Sequence, residues 1–174
     1  DAGTSHPLRG GKGSTWEGGM RVPGIFHWPG KIKPGVINEI GSAMDLLPTV
    51  AALTGGELAA GKIYDGVDLG PVLFEGKEGD RETIFYYRRH ELMAVRYGDY
   101  KAHFITEYSY RDDNEYTVHE TPLLFNLMID PSEQYNIATA HPDVIAAINE
   151  VAAKHKASLM PVEVQFNKVS DVQF

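Results

Sequence analysis

The chain has 174 residues, of which 43% are hydrophobic, so it is long enough to bury the core of about one domain and too apolar to be disordered. Its formal net charge of −8 argues against a nucleic acid or an anionic membrane surface as a partner. The absence of cysteine excludes disulfides and thiol chemistry, and no apolar run reaches the roughly 18 residues that a membrane span requires.

A glycine-rich segment near the start of the chain is the first candidate site. Residues 8–23, LRGGKGSTWEGGMRVP, hold five glycines between Gly10 and Gly19 around a single lysine, Lys12. Glycine lets a backbone approach a ligand closely, and N–H groups beside an ammonium bind compact anions such as phosphate or sulfate. The segment lacks the spacing of a Walker P-loop. The residues alone leave two interpretations open: an anion-binding loop and a flexible loop with a solvated lysine.

Charged and aromatic side chains flank this lysine. A carboxylate and a guanidinium four residues apart, Glu17 and Arg21, permit a catalytic role. We favour a structural one, in which both groups anchor the loop by hydrogen bonds to the backbone and to each other. Trp16 and Trp28 are expected to be packing residues.

Two elements are predicted between this segment and residue 80. Residues 20–28 have the apolar composition of a short, largely buried strand, which a Pro-Gly pair then ends. Ser42 and Asp45 suit a helix start, and the apolar residues of 46–53 follow at helical spacing. Pro48 is tolerated only in a first turn, so the helix is predicted to begin near Asp45 and to end at a Gly-Gly pair.

From residue 83 onward the pattern predicts an antiparallel sheet covered on one side by a helix. Strands are predicted at 83–87, 92–97, 100–106 and 123–127, because these segments are rich in aromatic and β-favouring residues. Gly98 and Asp99 suit a tight turn between the second and third strands. Pro142 and the apolar residues after it predict a helix to about Leu159.

Three further segments are predicted to lie outside the regular elements. The acidic run 107–120, which includes Asp112, Asp113, Glu115 and Glu120, lacks the calcium-loop pattern and is predicted to be an exposed insertion. Asp130 and Asn136 are expected to close turns by side-chain to backbone hydrogen bonds. Residues 162–174 are predicted to form an extended tail.

Six segments in order resemble the sulfatase family, in its arylsulfatase branch. They are GGKGSTWEGGMRVPGIFHWPGKI, GSAMDLLPTVAALTG, DGVDLGPVLFEG, TIFYYRRHELMAVRYGDYKAHF, HETPLLFNLMIDPSEQYNIA and HPDVIAAI. The resemblance covers nearly the whole chain and implies an α/β fold of the alkaline-phosphatase-like superfamily. Residues 1–80 would be the end of the catalytic domain with part of its large mixed sheet. Residues 81–160 would be a small α+β subdomain, a four-stranded antiparallel sheet packed on helix 141–159, followed by the tail 161–174.

The resemblance also implies a chemistry. In this family the lysine that corresponds to Lys12 contacts the sulfate group of the substrate. The family nucleophile is a formylglycine made from the first residue of a Cys-x-Pro-Ser-Arg or Ser-x-Pro-Ser-Arg motif, and aspartates hold a divalent cation, expected to be calcium. This chain has neither motif, and Asp1-Ala2-Gly3 is a poor substitute for the family's Asp-Asn-Gly metal motif. The chain is therefore interpreted as the C-terminal portion of a sulfatase, without metal ligands and inactive without its N-terminal part.

Substrate contacts are predicted at four other positions. His119 matches a family segment near the pocket mouth, although a loop histidine bonded to the backbone fits equally well. His103 alternates with Lys101 along a strand, so both share one face, which would line the substrate cleft if Ala102 faces the core. Arg88 and His90 belong to the densest basic cluster, which suits a sulfated small molecule or glycan; a solvated turn is the alternative.

Two other functions remain open from the sequence. The parent protein could be a phosphate or phosphonate ester hydrolase of the same superfamily, since the nucleophile motif is not in view. The chain could instead be a non-catalytic module that binds an anionic glycan. Unpaired strand edges and apolar faces predict that the isolated chain associates with itself or with the missing part. The resemblance places the enzyme in the bacterial periplasm or outside the cell.

Overall fold

The computed structural model describes residues 5–108 and 116–160. Three sequence-based predictions lie outside the described residues: the tail 161–174, most of the acidic run (residues 109–115, with Asp112, Asp113 and Glu115) and the segment Asp1-Ala2-Gly3.

A four-stranded antiparallel sheet forms the centre of the molecule. Its strands are β1 (Thr83–Arg88), β2 (Glu91–Tyr97), β3 (Tyr100–Thr106) and β4 (Thr117–Asn126), and they lie in chain order. The predicted sheet is confirmed, with β4 beginning earlier than expected. Tyr97 pairs with Tyr100, and Gly98 takes a φ of 56° in the tight turn between them, where the left-handed conformation favours glycine.

One face of the sheet packs against the long helix α3 (Pro142–Ser158). The predicted helix is confirmed, and its apolar stripe meets every second residue of the strands, as alternation along a strand requires. The buried core here consists of Leu92, Val95, Ala102, Leu124, Ala138, Ile145, Ile148 and Ala152. Because Ala102 faces α3, its neighbours Lys101 and His103 must point to the opposite face.

The opposite face of the sheet is covered by the glycine-rich segment. Trp16, which is 1% exposed, packs there with Phe125 and Leu127 in a second, smaller core. Both tryptophans were expected to pack. Trp16 does so fully, whereas Trp28 is 47% exposed and meets Phe74 edge to face. The segment therefore lies against the sheet and takes its position from it.

The short helix α2 (Leu46–Thr54) is confirmed with its predicted start and end. Ser42 and Asp45 form a capping box at a 3₁₀ turn over Ala43–Asp45, and Gly55, with a φ of 69°, ends the helix. Asp45 is fully buried and accepts hydrogen bonds from the backbone of Ser42 and Val67 at 2.7 and 2.9 Å. It also forms an ion pair with Arg81, just before β1. Asp45 thus joins α2, the loop that follows it and the start of the sheet.

The turn after β4 is closed by side chains, as predicted. Asp130 accepts hydrogen bonds from the backbone of Gln134 and Tyr135, each at 2.9 Å through Oδ2. Asn136 accepts from the backbone of Leu124 at 3.0 Å and of Ala138 at 3.1 Å. These bonds fix residues 130–138 against the end of β4.

The strand predicted for residues 20–28 is wrong. Met20 ends a short helix, α1 (Glu17–Met20), and residues 21–28 form no strand. Val22 and Ile25 are 79% and 89% exposed. An apolar run indicates that a segment tends to be buried, but it does not identify the part of the protein against which the segment packs. A strand forms only beside another strand that completes its hydrogen bonds, and the four strands of the described sheet pair with one another.

Candidate functional site

The lysine loop, defined here as residues 9–19, is closed by its own backbone. The N–H of Gly18 donates to the carbonyl of Arg9 at 2.7 Å, and the N–H of Ser14 donates to Gly11 at 3.0 Å. Gly13 has a φ of 91°, which a residue with a side chain rarely adopts. A Cβ at Gly18 would lie 2.6 Å from the carbonyl oxygen of Arg9. The glycines therefore allow a tight loop whose two ends nearly touch.

Lys12 lies at the exposed tip of this loop. Its side chain forms no ion pair or hydrogen bond with any residue in 5–108 or 116–160. The ammonium is therefore available to an anion, with the loop backbone held behind it. This is the arrangement expected of an anion-binding lysine.

The end of the loop is anchored by a buried lysine on β3. Lys101 is fully buried, and its ammonium donates to the carbonyl of Thr15 at 2.7 Å and to Glu17 Oε1 at 2.8 Å. It also lies 4.3 Å from the ring centre of Tyr86, a favourable cation–π distance. Glu17 is 2% exposed and lies 3.5 Å from Arg21. The predicted contact between Glu17 and Arg21 is present, but the main partner of Glu17 is Lys101.

Glu133 completes the anchor from the turn after β4. It is fully buried, and its Oε2 accepts the backbone N–H of Glu17 at 2.6 Å. Its Oε1 lies 2.6 Å from His103 Nε2 and 3.1 Å from Lys101 Nζ. We refer to Glu17, Lys101, His103 and Glu133 as the buried charge network. It connects the lysine loop, β3 and the turn after β4.

Burial and charge set the protonation states in this network. Burial raises the pKa of Glu133, but the hydrogen bond from His103 and the charge of Lys101 outweigh it, so this pKa lies below its usual value. Burial lowers the pKa of His103 to about 4, although the bond to Glu133 acts in the opposite direction. At neutral pH His103 is therefore neutral. Because an ionised carboxylate can only accept, Nε2 carries the proton that His103 donates to Glu133.

The buried histidine predicts that the chain loses stability in mild acid. An unfolded histidine binds a proton below about pH 6.5, whereas the folded His103 does so only below about pH 4. Between these values unfolding takes up a proton. The free energy of unfolding should therefore decrease by about 3 kcal/mol as the pH falls through this window. Urea denaturation of the chain at several pH values measures this decrease.

The variant His103→Gln has no titrating side chain, so its unfolding free energy should change less between pH 6.5 and 4. His27→Gln removes an exposed histidine and should keep the slope of the original chain. Equal slopes for His103→Gln and His27→Gln would show that His103 is not the group responsible.

The structure corrects the role expected for His103. Lys101 and His103 do share one face of β3, as predicted. That face is covered by the lysine loop, and His103 has no exposed surface. Its ring lies 4.2 Å from that of Trp16. His103 therefore supports the loop from beneath and does not line an open cleft.

Of the other predicted substrate contacts, Arg88 is connected to the lysine loop through Tyr108. Its guanidinium forms an ion pair with Glu107 at 2.9 Å and donates to the carbonyl of Tyr108 at 3.2 Å. The hydroxyl of Tyr108 accepts from Arg9, in the lysine loop, at 2.7 Å. Tyr108 thus brings the end of β1 together with the loop. His90 lies exposed in the turn between β1 and β2.

His119 lies near the start of β4 and is partly buried. Its Nε2 lies 2.9 Å from the hydroxyl of Thr106, the last residue of the neighbouring strand β3. Burial lowers the pKa of His119, so its neutral form is favoured. The side chain is bonded to a neighbouring strand, and its predicted contact with substrate stays a prediction.

Sequence reasoning missed the residues that hold the loop in place. The alternation of Lys101 and His103 indicated a shared face, but not that the loop would cover it. Glu133 was recognised only as part of a turn. Arg9 was not singled out, although its guanidinium lies 3.7 Å from the centre of the Trp16 ring and donates to the carbonyl of Glu133 at 2.9 Å. A glutamate in a polar turn offers no sequence signal for burial.

The part of the chain that the structure describes does not fit the calcium ion that the resemblance implies, and the sequence does not fit its formylglycine. Within residues 5–108 and 116–160 no group of three or more histidine, aspartate or glutamate side chains is placed to hold a metal ion. The sequence has no cysteine and no Ser-x-Pro-Ser-Arg motif from which formylglycine could be made. Of the helices in these two ranges, none combines the length and the apolar character needed to cross a lipid bilayer.

Two family models match the chain. The model described as "C-terminal region of aryl-sulfatase" matches residues 79–173, and the model described as "Sulfatase" matches residues 2–56. The first contains the sheet and α3, and the second contains the lysine loop and α2. Together they account for nearly all of the described fold.

Curated relatives and a crystal structure agree with these models. An arylsulfatase of Hemicentrotus pulcherrimus is 40% identical over 92% of this chain and 33% of its own length. Arylsulfatase A of Homo sapiens is 42% identical over 86% of this chain and 33% of its own length. The crystal structure of PsFucS1 sulfatase from Pseudoalteromonas sp. has a TM-score of 0.77 and 31% identity, covering 87% of this chain and 32% of that one. The chain spans about a third of the length of these relatives.

Proposed function

Because the chain belongs to the sulfatase family, we propose that it is the C-terminal portion of a sulfuric ester hydrolase and that Lys12 contacts the sulfate group of the substrate. The observation that carries this proposal is the free ammonium of Lys12 at the tip of a loop whose ends are anchored in the sheet. A cation fixed beside the oxygen that leaves as the S–O bond breaks stabilises the transition state more than the ground state.

The formylglycine nucleophile and the calcium ion belong, in this proposal, to an N-terminal part of the protein. The residues described here hold neither, and the relatives are about three times as long as this chain. We use "full-length protein" for the product that contains both parts. Loss of a nucleophile and a metal ion removes covalent and metal-ion catalysis together. The chain alone is therefore proposed to be inactive.

Part of the substrate-binding wall is proposed to come from this chain. Arg88 is linked to the lysine loop through Tyr108, His90 is exposed, and His119 lies near the start of β4. Cations and imidazoles suit a sulfated small molecule or glycan. The periplasm or the outside of the cell is the proposed location, where the family commonly acts.

The apolar surface of residues 22–53 is the proposed contact with the N-terminal part. It consists of Val22, Ile25, Phe26, Trp28, Leu46, Leu47, Val50 and Leu53, each at least 43% exposed. Four of these side chains belong to α2. Three of the four line a shallow apolar hollow together with Phe26, Trp28 and Phe74; these three are Leu46, Val50 and Leu53. Exposed apolar patches of this kind mark interaction surfaces.

The isolated chain is therefore predicted to associate with itself. Sedimentation velocity should show an average mass that increases with concentration, because the apolar surface has no other partner. Replacing Leu47 and Val50, which are 57% and 54% exposed, with glutamate should shift the distribution toward monomer. A single monomeric species of the unmodified chain at every concentration would contradict the prediction.

Hydrolysis of p-nitrophenyl sulfate with calcium present tests the proposed function. The chain alone and the full-length protein are assayed under the same conditions. The proposal expects activity in the full-length protein and none in the chain alone. Activity in the chain alone, or sulfate ester hydrolysis by neither, would overturn it.

A further inference from the structure

Glu133 contacts the lysine loop on both sides of Lys12. Before Lys12, the guanidinium of Arg9 donates to the backbone carbonyl of Glu133 at 2.9 Å. After Lys12, the backbone N–H of Glu17 donates to its carboxylate at 2.6 Å. The N–H of Gly18 donates to the carbonyl of Arg9, so the two contacts with Glu133 lie where the loop closes. One residue therefore fixes both ends of the loop that presents the ammonium.

The same residue ties the loop to the rigid sheet. The second carboxylate oxygen of Glu133 meets His103 and Lys101, two fully buried residues of β3. Lys101 reaches back to Thr15 and Glu17 in the loop. The position of the loop is therefore set by charged hydrogen bonds, which are shorter and more directional than apolar contacts.

Stability alone does not account for this arrangement. Glu133 has a φ of 51°, a conformation that costs free energy for any residue other than glycine. Buried charges also lose their hydration, and apolar side chains of similar volume often stabilise a core as well or better. A network of fixed hydrogen bonds also sets the exact position of the groups that it holds. A displacement of about 1 Å in a reacting group can slow an enzyme by roughly a hundredfold.

We propose that Glu133 is a positioning residue for Lys12: acting through Arg9 and Glu17, it holds the lysine loop where the ammonium meets the substrate anion. This inference rests on the proposed contact between Lys12 and sulfate. Glu133 itself touches neither substrate nor reacting atoms. Loss of Glu133 displaces the ammonium of Lys12 from the substrate anion but leaves that charge in the protein.

The first test is Glu133→Gln in the full-length protein. Glutamine has the same size but only one accepting oxygen, so it cannot accept from both Glu17 and the ammonium of Lys101 as the carboxylate does. We expect kcat for p-nitrophenyl sulfate to fall at least about tenfold. Glu150→Gln, on the exposed side of α3, is the control that removes a charge elsewhere. Asn136→Ala loosens the same turn without touching the loop.

A double-mutant cycle distinguishes a positioning role of Glu133 from a merely structural one. If Glu133 acts through Lys12, Glu133→Gln should have little further effect on a protein that already carries Lys12→Ala, within about twofold. Backbone hydrogen exchange should also become faster at Glu17 in Glu133→Gln and stay unchanged in Asn136→Ala. All variants are compared at a temperature at which each is folded. If Glu133→Gln does not fold, Glu133→Asp, which keeps the charge but shortens its reach, takes its place.

The outcomes separate the two proposals. Full activity of Lys12→Ala would overturn the proposed contact with sulfate and, with it, this inference. Loss of activity in Lys12→Ala with a Glu133→Gln protein as active as Glu150→Gln would overturn the positioning role alone. So would equal losses in Glu133→Gln and Asn136→Ala, or losses from Lys12→Ala and Glu133→Gln that simply multiply.

Discussion

Replacing Lys12 with alanine in the full-length protein should lower kcat/KM for p-nitrophenyl sulfate by about 100- to 1,000-fold, the range measured when one preorganised group that stabilises developing charge is removed. The loss should appear mainly in kcat, because the ammonium is expected to interact most strongly with the oxygen that gains charge as the S–O bond breaks. Steady-state kinetics with the purified variant measures it.

Two further variants show whether the position of the cation matters. Lys33→Ala removes an exposed lysine outside the loop and should leave kcat/KM unchanged. Lys12→Arg keeps the charge but changes its shape and reach, so it should restore only part of the activity. Equal activity of Lys12→Ala and Lys33→Ala would mean that Lys12 is a solvated loop residue.

Replacing Asp45 with alanine should lower the free energy of unfolding by about 3–5 kcal/mol, the cost of breaking a buried ion pair from one side. Asp45 is fully buried, and the side chain of Arg81 is only 7% exposed. The substitution leaves the guanidinium without its carboxylate and the N–H groups of Ser42 and Val67 without an acceptor. A loss of this size is a large part of the stability of a typical domain. Urea denaturation at pH 7 measures it.

An exposed ion pair provides the control for this prediction. Glu75 and Lys77 lie 2.6 Å apart, with side chains 53% and 65% exposed. Pairs of this kind contribute little, so Glu75→Ala should change the free energy of unfolding by less than about 1 kcal/mol. Similar losses for Asp45→Ala and Glu75→Ala would show that burial of the Asp45 pair does not determine its contribution.

The C-terminal sheet and the helices α2 and α3 could be predicted from local patterns. Period-two alternation, a Gly-Asp turn and the capping residues Ser42 and Asp45 each act within a few positions of the chain, so the sequence displays them directly. The segment 20–28 could not be predicted in this way. Its apolar composition is that of a strand, but whether a strand forms depends on a neighbour that the described part of the chain does not supply.

Lys12, at the tip of the lysine loop, could be predicted from the sequence, whereas the residues that anchor the loop could not. Lys12 stands out because glycines surround it. Its supports are far away in sequence: Lys101 and Glu133 meet Glu17 only after the sheet has formed. A buried lysine and a buried glutamate look like surface residues in a sequence. Their burial depends on the exact pairing of partners that no local pattern contains.

The proposed role of Lys12 in sulfate ester hydrolysis is tested most directly by comparing hydrolysis of p-nitrophenyl sulfate and p-nitrophenyl phosphate by the full-length protein, with and without Lys12→Ala. The two substrates share a leaving group and differ in the anion that the lysine loop would meet. We expect sulfate to be the preferred ester and Lys12→Ala to remove its hydrolysis. Hydrolysis of phosphate without hydrolysis of sulfate would contradict this expectation and would identify Lys12 as a ligand for phosphate.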